Sequence, residues 1–427
     1  MIKINSQYTL FAGILEMRPN SIIEKQLAIY YHDWERRLFN GEYQATLDHL
    51  RDNYYDSFLL GMLPGLLDEN AKNNSDYLRR YTRKELLKPE FQVELKGQKQ
   101  ALKSEYFDLY FFPNGLALFF FKVEFEKKPS LELIPEMIYQ MRKLTTKLVI
   151  DGSEISVQDW IKLQLQPVVK LDKNWNSYIP QLKSYNILDI NENLDQTQMD
   201  ELLYDLATLS PLGTAAGSDM NAPSATYFNE LMGKHKISVF KNWSALSLFD
   251  TFTMVSMNKK DPYRLWEYDY LNIYLMAIYI KGFIYLANTT LSDVTVANKK
   301  SELVKNTFIE FINDYYISNI SYRFLPNILN DKMTQGLDIQ VEISKMENKI
   351  NRLNETLKRN RDNRLNISIL ILAVFSIFSV ITDLSDWLNT SIESKSWLYP
   401  WAGLIALVLL MITLFVAINF SKWKRND

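Results

Sequence analysis

The chain contains no cysteine. That absence excludes disulfide frameworks, zinc-thiolate sites, iron–sulfur clusters and thiol nucleophiles together. Histidine is nearly missing too. Only His32, His49 and His235 occur among 427 residues, and none sit at H-x-x-x-H spacing, so a histidine-rich transition-metal site is not expected. There is no excess of one charge. Lys+Arg total 48 against 50 Asp+Glu, a net charge of −2, which argues against a general nucleic-acid binder. The sequence has no Walker loop, no G-x-G-x-x-G, no G-x-S-x-G and no H-E-x-x-H. Carboxylates are plentiful, but no spacing singles out a catalytic pair, so neither an enzyme nor a cofactor is expected. A secretory signal is also missing. The apolar stretch at Leu10–Leu15 is shorter than a signal core and Glu16 follows at once, which places the N-terminal part in the cytoplasm.

What is present is apolar. Hydrophobic residues make up 47% and charged residues 23%, enough to bury a sizeable core and to exclude intrinsic disorder. The N-terminal residues 1–260 read as a mixed α/β cytoplasmic domain. Residues 4–17 and 91–95 look strand-like. Aromatic runs at 106–112 and 116–125 flank Pro113-Asn114-Gly115, a hairpin signal. A helix is expected to follow to about Leu148, with Pro135 in its first turn and Met137, Met141, Leu144 and Leu148 on one face. Residues 196–209 read as a short amphipathic helix and 237–257 as a strand pair. From about Asp261 the chain turns helical. One helix is expected over 262–286, another over 302–323 ended by Pro326, and a third from near Asp331.

Two long apolar runs close the sequence. Residues 367–382 read ISILILAVFSIFSVIT; with their flanks they make about 20 residues, enough for roughly 30 Å of hydrocarbon. Residues 398–420 read LYPWAGLIALVLLMITLFVAINF. Both are apolar around the whole helix and read as membrane spans within 365–420. Lys358, Arg359, Arg361 and Arg364 precede the first, and Lys422, Lys424 and Arg425 follow the second in a basic tail, 421–427. The positive-inside rule then puts both termini in the cytoplasm and the short loop outside. Trp387, Trp397, Tyr399 and Trp401 would form the outer aromatic belt. A third apolar run at 271–286 is interrupted by Lys281 and Gly282 and reads as a buried helix of the soluble domain.

The strongest pattern is a heptad seam. Ile339, Ile343, Met346, Ile350, Leu353, Leu357, Asn360, Arg364, Ile367, Ile371, Val374, Phe378 and Ile381 alternate spacings of four and three without a break. The seam runs from a helical stalk within 261–364 into the first span. One continuous helix of about 50 residues would reach roughly 75 Å. Either the seam packs on helices of its own chain, or copies from several subunits surround an axis. In the second case Asn360, Arg364, Ile367, Ile371, Val374, Phe378 and Ile381 line a pore.

The layout is an α/β cytoplasmic domain, a long helical stalk, two C-terminal spans, a short outer loop and a basic tail. It resembles the CorA family of pentameric divalent-cation channels. The likeness covers the order of elements along most of the chain and is specific over about 262–427. In that family the first span lines the pore and a Gly-Met-Asn motif in the outer loop binds the hydrated ion. Here residues 385–397 contain neither that motif nor any glycine, and Asn389 is the asparagine nearest the right place. The sequence is more similar to a branch without the motif, the CorA-like membrane proteins associated with type III CRISPR systems. That resemblance implies a homopentameric effector in the inner membrane with no direct nucleic-acid contact. A nucleotide-derived second messenger, adenylated S-adenosylmethionine, would open it and permeabilise the bilayer. The alternatives are a divalent-cation (Mg²⁺) transporter of the same fold and a non-conducting membrane-anchored scaffold.

Two stretches are candidates for an anionic ligand. Small residues Gly213, Thr214, Gly217 and Ser218 precede an expected helix with Ser224 at its N-cap. Backbone N–H groups in such a loop suit phosphate, although a plain surface loop has the same composition. Arg79, Arg80 and Arg83 cluster within YLRRYTRKELLK and would either meet phosphates or form a solvated helical face. Lys234, Lys236 and Lys241 with Trp243 would be a weaker adenine-and-phosphate site.

Overall fold

Alternation of apolar residues over long stretches dictates strands, and the N-terminal third folds as that pattern requires. The computed structural model describes residues 2–16, 34–36, 44–68, 76–165, 181–218, 220–258, 265–292 and 299–391, and then 405, 408, 409, 412 and 413. The chain forms two units, residues 1–295 with 302–347, and residues 296–301 with 348–427.

The first unit begins β1 (Ile4–Glu16), β2 (Glu35–Arg36), α1 (Gln44–Asn53), α2 (Asp56–Met62), β3 (Arg79–Arg83), β4 (Glu90–Leu95), β5 (Gln98–Phe111) and β6 (Leu116–Phe125). It continues α3 (Leu133–Arg142), β7 (Lys147–Ile150), β8 (Ser153–Ser156), α4 (Val157–Leu165), β9 (Lys183–Ile190), α5 (Gln196–Thr208) and α6 (Ala225–His235). Then come β10 (Lys236–Ile237), β11 (Trp243–Ser247), β12 (Thr251–Met257), α7 (Leu271–Ser292), α8 (Lys299–Tyr315), α9 (Phe324–Gly336) and the start of α10 (Ile339–Ser391). The strands make one sheet in the order β10-β11-β12-β9-β1-β6-β5-β4-β7-β8, with β3 on β5 and β2 on β3. Among the described strand pairs only β12 against β9 is parallel.

The Pro-Asn-Gly hairpin is where the sequence puts it. Gly115 takes φ 79, and Phe112 N–H closes on Leu116 C=O at 2.9 Å. The sheet is covered on both faces. On one, Phe11, Phe107, Phe119 and Phe121 pack with Met137, Ile138 and Met141 of α3, Trp160 of α4 and Leu203 of α5. On the other lies α7. Tyr185 on β9 donates to the Trp266 carbonyl at 2.8 Å, and Phe112 stacks on Tyr279 with ring centroids 3.5 Å apart. Gly282 permits the close approach, since a Cβ there would meet Ile14 Cδ1 at 2.6 Å. The apolar run at 271–286 is thus a buried core helix.

Four expectations need correction. The helix after Pro135 stops at Arg142. Lys143 turns extended, and Leu148 lies in β7, paired to β4; the β-branched run Thr145, Thr146, Val149 and Ile150 favours a pleated strand. Residues 236–257 form three strands, not two, because β10 adds to the edge of β11. The helix expected to Arg323 ends at Tyr315, and Arg323 is the extended N-cap residue of α9. Pro326 breaks nothing there, since it sits in the first turn of α9, where its missing N–H has no intrahelical partner to lose. The helix expected from near Asp331 is two helices, α9 and α10, parted at Asp338 with φ 54.

Gly336 closes α9 against β11. A Cβ there would stand 2.4 Å from Ser247 Oγ and 2.6 Å from the Ser247 carbonyl oxygen. Backbone cannot swing aside as a side-chain tip can. Gly336→Ala should therefore cost about 1–3 kcal/mol, the usual range for overpacking. A lowered denaturant midpoint of the full chain checks it, and an unchanged midpoint would show that α9 slides freely.

Candidate functional site: an exposed apolar helix and charges buried beneath the sheet

α10 is one unbroken helix of 53 residues. Its seam is buried at the start, where Ile339, Ile343, Met346 and Ile350 are each no more than 4% exposed. Farther on the same seam is exposed: Ile367 at 58%, Ile371 at 50% and Phe378 at 55%, with Val374 and Ile381 half-buried. Arg364 is exposed, and the side chain of Asn360 lies outside the described residues. The off-seam positions Leu365, Ile369, Leu372, Phe375 and Val380 are exposed as well. A helix that exposes apolar side chains on all sides has no stable state in water.

Among the described residues two helices are long and apolar enough to cross a membrane, Trp266–Leu291 and Ile339–Asp386. The first is the α7 region, mostly buried in its own unit, so of these two α10 is the exposed one. α10 continues helical to Ser391, so the first part of the expected outer loop is a helical extension of the span. Of the expected aromatic belt Trp387 lies within α10, while Trp397, Tyr399 and Trp401 and nearly all of the second expected span lie outside the described residues. Within that span Ile405, Val408, Leu409 and Ile412 are helical and exposed.

The small-residue loop already holds an anion, from its own chain. The Asp205 carboxylate on α5 accepts from Gly213 N–H at 2.6 Å and from Ala215 N–H at 2.9 Å. Burial pushes this carboxyl above the usual range, with the N–H groups of Ala215, Gly213 and Thr214 pulling the other way. Thr214 N–H goes to Pro211 C=O and Gly217 N–H to Thr214 C=O, and Ser218 is exposed beside them. Those N–H groups stabilise the end of α5 and leave little for a phosphate. Ser224 is the N-cap of α6, accepting from Tyr227 N–H.

The arginine cluster is neither a solvated helix nor an open phosphate site. It is β3, buried along its whole length. Arg80 is paired with Asp108, which also accepts from Thr82 Oγ1 at 2.6 Å. The Arg80 guanidinium lies 5.1 Å from the centre of the Tyr110 ring. Arg83 donates to the Gln164 carbonyl at 2.6 Å, and Arg79 to the Tyr77 carbonyl at 2.8 Å. Trp243 packs edge-on to Trp266, and Lys236 is held by Asp200, so the lysine–tryptophan candidate is not assembled.

The sheet face beneath α7 carries a charge network missed in the sequence. Lys122 Nζ lies 2.7 Å from Glu105, 3.1 Å from Glu124 and 3.3 Å from Glu267, and Tyr106 donates to Glu267 at 2.9 Å. Burial lowers the pKa of the Lys122 ammonium, but Glu267, Glu124 and Glu105 outweigh it and the net shift is upward. Next to it Asp269 accepts from Tyr54 and lies 3.1 Å from His49 Nε2. Glu267 and Asp269 both sit on a π-helical turn, Trp266–Tyr270, that opens α7. The signal in the sequence was a charged residue within an aromatic-rich stretch, Asp108 within residues 106–112 and Lys122 in β6. Among the described residues no group of three or more His, Asp or Glu side chains is placed to hold a metal ion.

These features define an α/β sheet domain that leads through buried helices into one long, uncovered apolar helix. No protein-family model, curated protein or solved structure matches the chain.

Proposed function

We propose that this chain is a membrane effector channel of CorA-like architecture, assembled as a homopentamer with the sheet domain in the cytoplasm. A nucleotide second messenger, adenylated S-adenosylmethionine, gates it and so permeabilises the inner membrane in type III CRISPR defence. The observation that carries the reading is α10. Its buried first turns belong to the sheet unit, and its exposed apolar stretch is long enough to cross a bilayer without a break. A single chain offers too few spans to enclose a path, so copies of α10 around an axis cover the seam of Ile367, Ile371, Val374, Phe378 and Ile381 from lipid and from each other. The outer loop has no Gly-Met-Asn, so the hydrated-cation filter of the transporters is missing from the expected place.

The reading fixes a topology. A phosphatase reporter fused after Asp427 should stay inactive, whereas the same reporter inserted after Ser394 should be active outside. The reverse pattern would overturn the orientation. Liposomes holding the full chain should release dye on addition of the synthetic messenger. Mg²⁺ uptake without messenger would favour the transporter.

A further inference from the structure

The turn between β11 and β12 gathers more positive than negative charge in a partly open place. Asp250, 47% exposed in its side chain, is gripped by Lys183 at 2.9 Å and Arg142 at 3.0 Å. Lys183 also donates to the Phe249 carbonyl at 2.8 Å, and Arg142 to the Leu182 carbonyl at 2.8 Å and to Gln181 at 3.3 Å. The exposed Phe249 ring has Lys183 Nζ 3.8 Å from its centre and Lys281 Nζ at 4.7 Å. Lys281 comes from α7 and pairs at 3.7 Å with Glu342 in the first turn of α10, which Lys345 also approaches at 3.7 Å. Asp338 also acts on Lys281, so four cations, one of them the exposed Lys345, face the three carboxylates Asp250, Glu342 and Asp338, and the Arg142, Lys183 and Lys281 side chains are all at most 16% exposed. Desolvated cations gathered side by side repel one another, and a further anion seated between them offsets that cost.

We propose that this cluster is a binding site for a phosphate-bearing anion, held by Arg142, Lys183 and Lys281 at the foot of α10. The pKa directions agree with uncompensated positive charge. Burial, with Arg142 and Lys281 adding to it, pushes the Lys183 ammonium down against the pull of Asp250. For Asp250 burial acts upward, but Lys183 and Arg142 outweigh it and hold the carboxyl below the usual range. Asp250 occupies the place of the anion in the free protein, and Glu342 competes for Lys281. An arriving phosphoryl group draws Lys281 from Glu342, so binding and the position of the first turn of α10 are linked, and linkage is reciprocal. This coupling rests on the channel reading given above; the binding itself does not.

Pyrophosphate is the probe, titrated calorimetrically into the full chain in detergent, with NaCl holding ionic strength constant. Binding should be saturable, and Lys281→Met and Lys183→Met should each weaken it about tenfold, as the loss of ~1.4 kcal/mol would. Asp250→Asn and Glu342→Gln should tighten it, because each removes a competing carboxylate. These two variants keep the cations and need no buried charge deleted, so they test the site even if Lys183→Met fails to fold. No heat beyond the NaCl control, or the same affinity in Lys281→Met and Asp250→Asn as in wild type, overturns the site. If pyrophosphate binds but Glu342→Gln leaves its affinity unchanged, the coupling to α10 is wrong and the site stands. A chain that binds pyrophosphate yet never leaks sinks the channel reading alone.

Discussion

Arg80→Met should remove about 3–5 kcal/mol from the stability of the sheet unit, the usual cost of breaking a buried ion pair from one side. Asp108 is fully buried, and its side chain depends on Arg80 and Thr82 for its charge to be tolerated there. Without the guanidinium, the carboxylate keeps Thr82 and the more distant Tyr110 hydroxyl at 3.4 Å, and neither supplies a positive charge. Lys122 belongs to a separate set of three glutamates. The pairing partner of Arg80 across β3 and β5 is Tyr110, so the loss falls within a paired strand that is buried along its whole length. The double variant Arg80→Met/Asp108→Leu should recover most of the loss, since well-packed apolar replacements for a buried pair are often neutral or better. Denaturant unfolding of the full chain, followed by the fluorescence of buried Trp34, Trp160 and Trp266, measures both. Equal midpoints for wild type and Arg80→Met would mean that water reaches Asp108.

On the proposed reading, Phe378→Ser and Ile371→Ser should leak without any messenger, with toxicity in cells and dye release from liposomes. Around an axis these positions stack as apolar rings, and a narrow apolar constriction shuts a pore by excluding water. One hydroxyl per subunit places five polar groups in one ring and lets water stay. If the seam instead packs against a helix of the same chain, the same substitutions cost stability and open nothing. Well-inserted variants that hold dye as tightly as wild type would rule out the pore. Arg364, at the polar end of the exposed stretch, gives a second check. A ring of guanidinium groups repels cations, so Arg364→Gln should raise cation over anion permeability.

Local pattern settled much of this molecule. The hairpin around Asn114, the limits of β6, the capped helix Gln196–Thr208 and the unbroken helix through the seam from Ile339 follow from turn chemistry, capping and period, which act within a few residues. That residues 367–382 form a helix long and apolar enough to cross a membrane belongs with them, because hydrocarbon length is counted along one segment. Burial of the run at 271–286 was legible only in part. Lys281 and Gly282 argued against a span, but the partner that buries it, β1 with Ile14, lies far away in sequence.

The anion candidates fared differently, because the occupant of a site is a long-range fact. A run of small residues offers N–H groups, and nothing nearby in the sequence says that Asp205 fills them from α5. Three arginines in five residues look solvated until β3 is seen buried on β5 with Asp108 opposite. The cluster of Arg142, Lys183, Asp250 and Lys281 has no sequence signature at all. Its members come from a helix end, a strand start, a hairpin turn and a core helix. Only the crossover that lays β12 beside β9 and α7 across them brings four separate charges to one point.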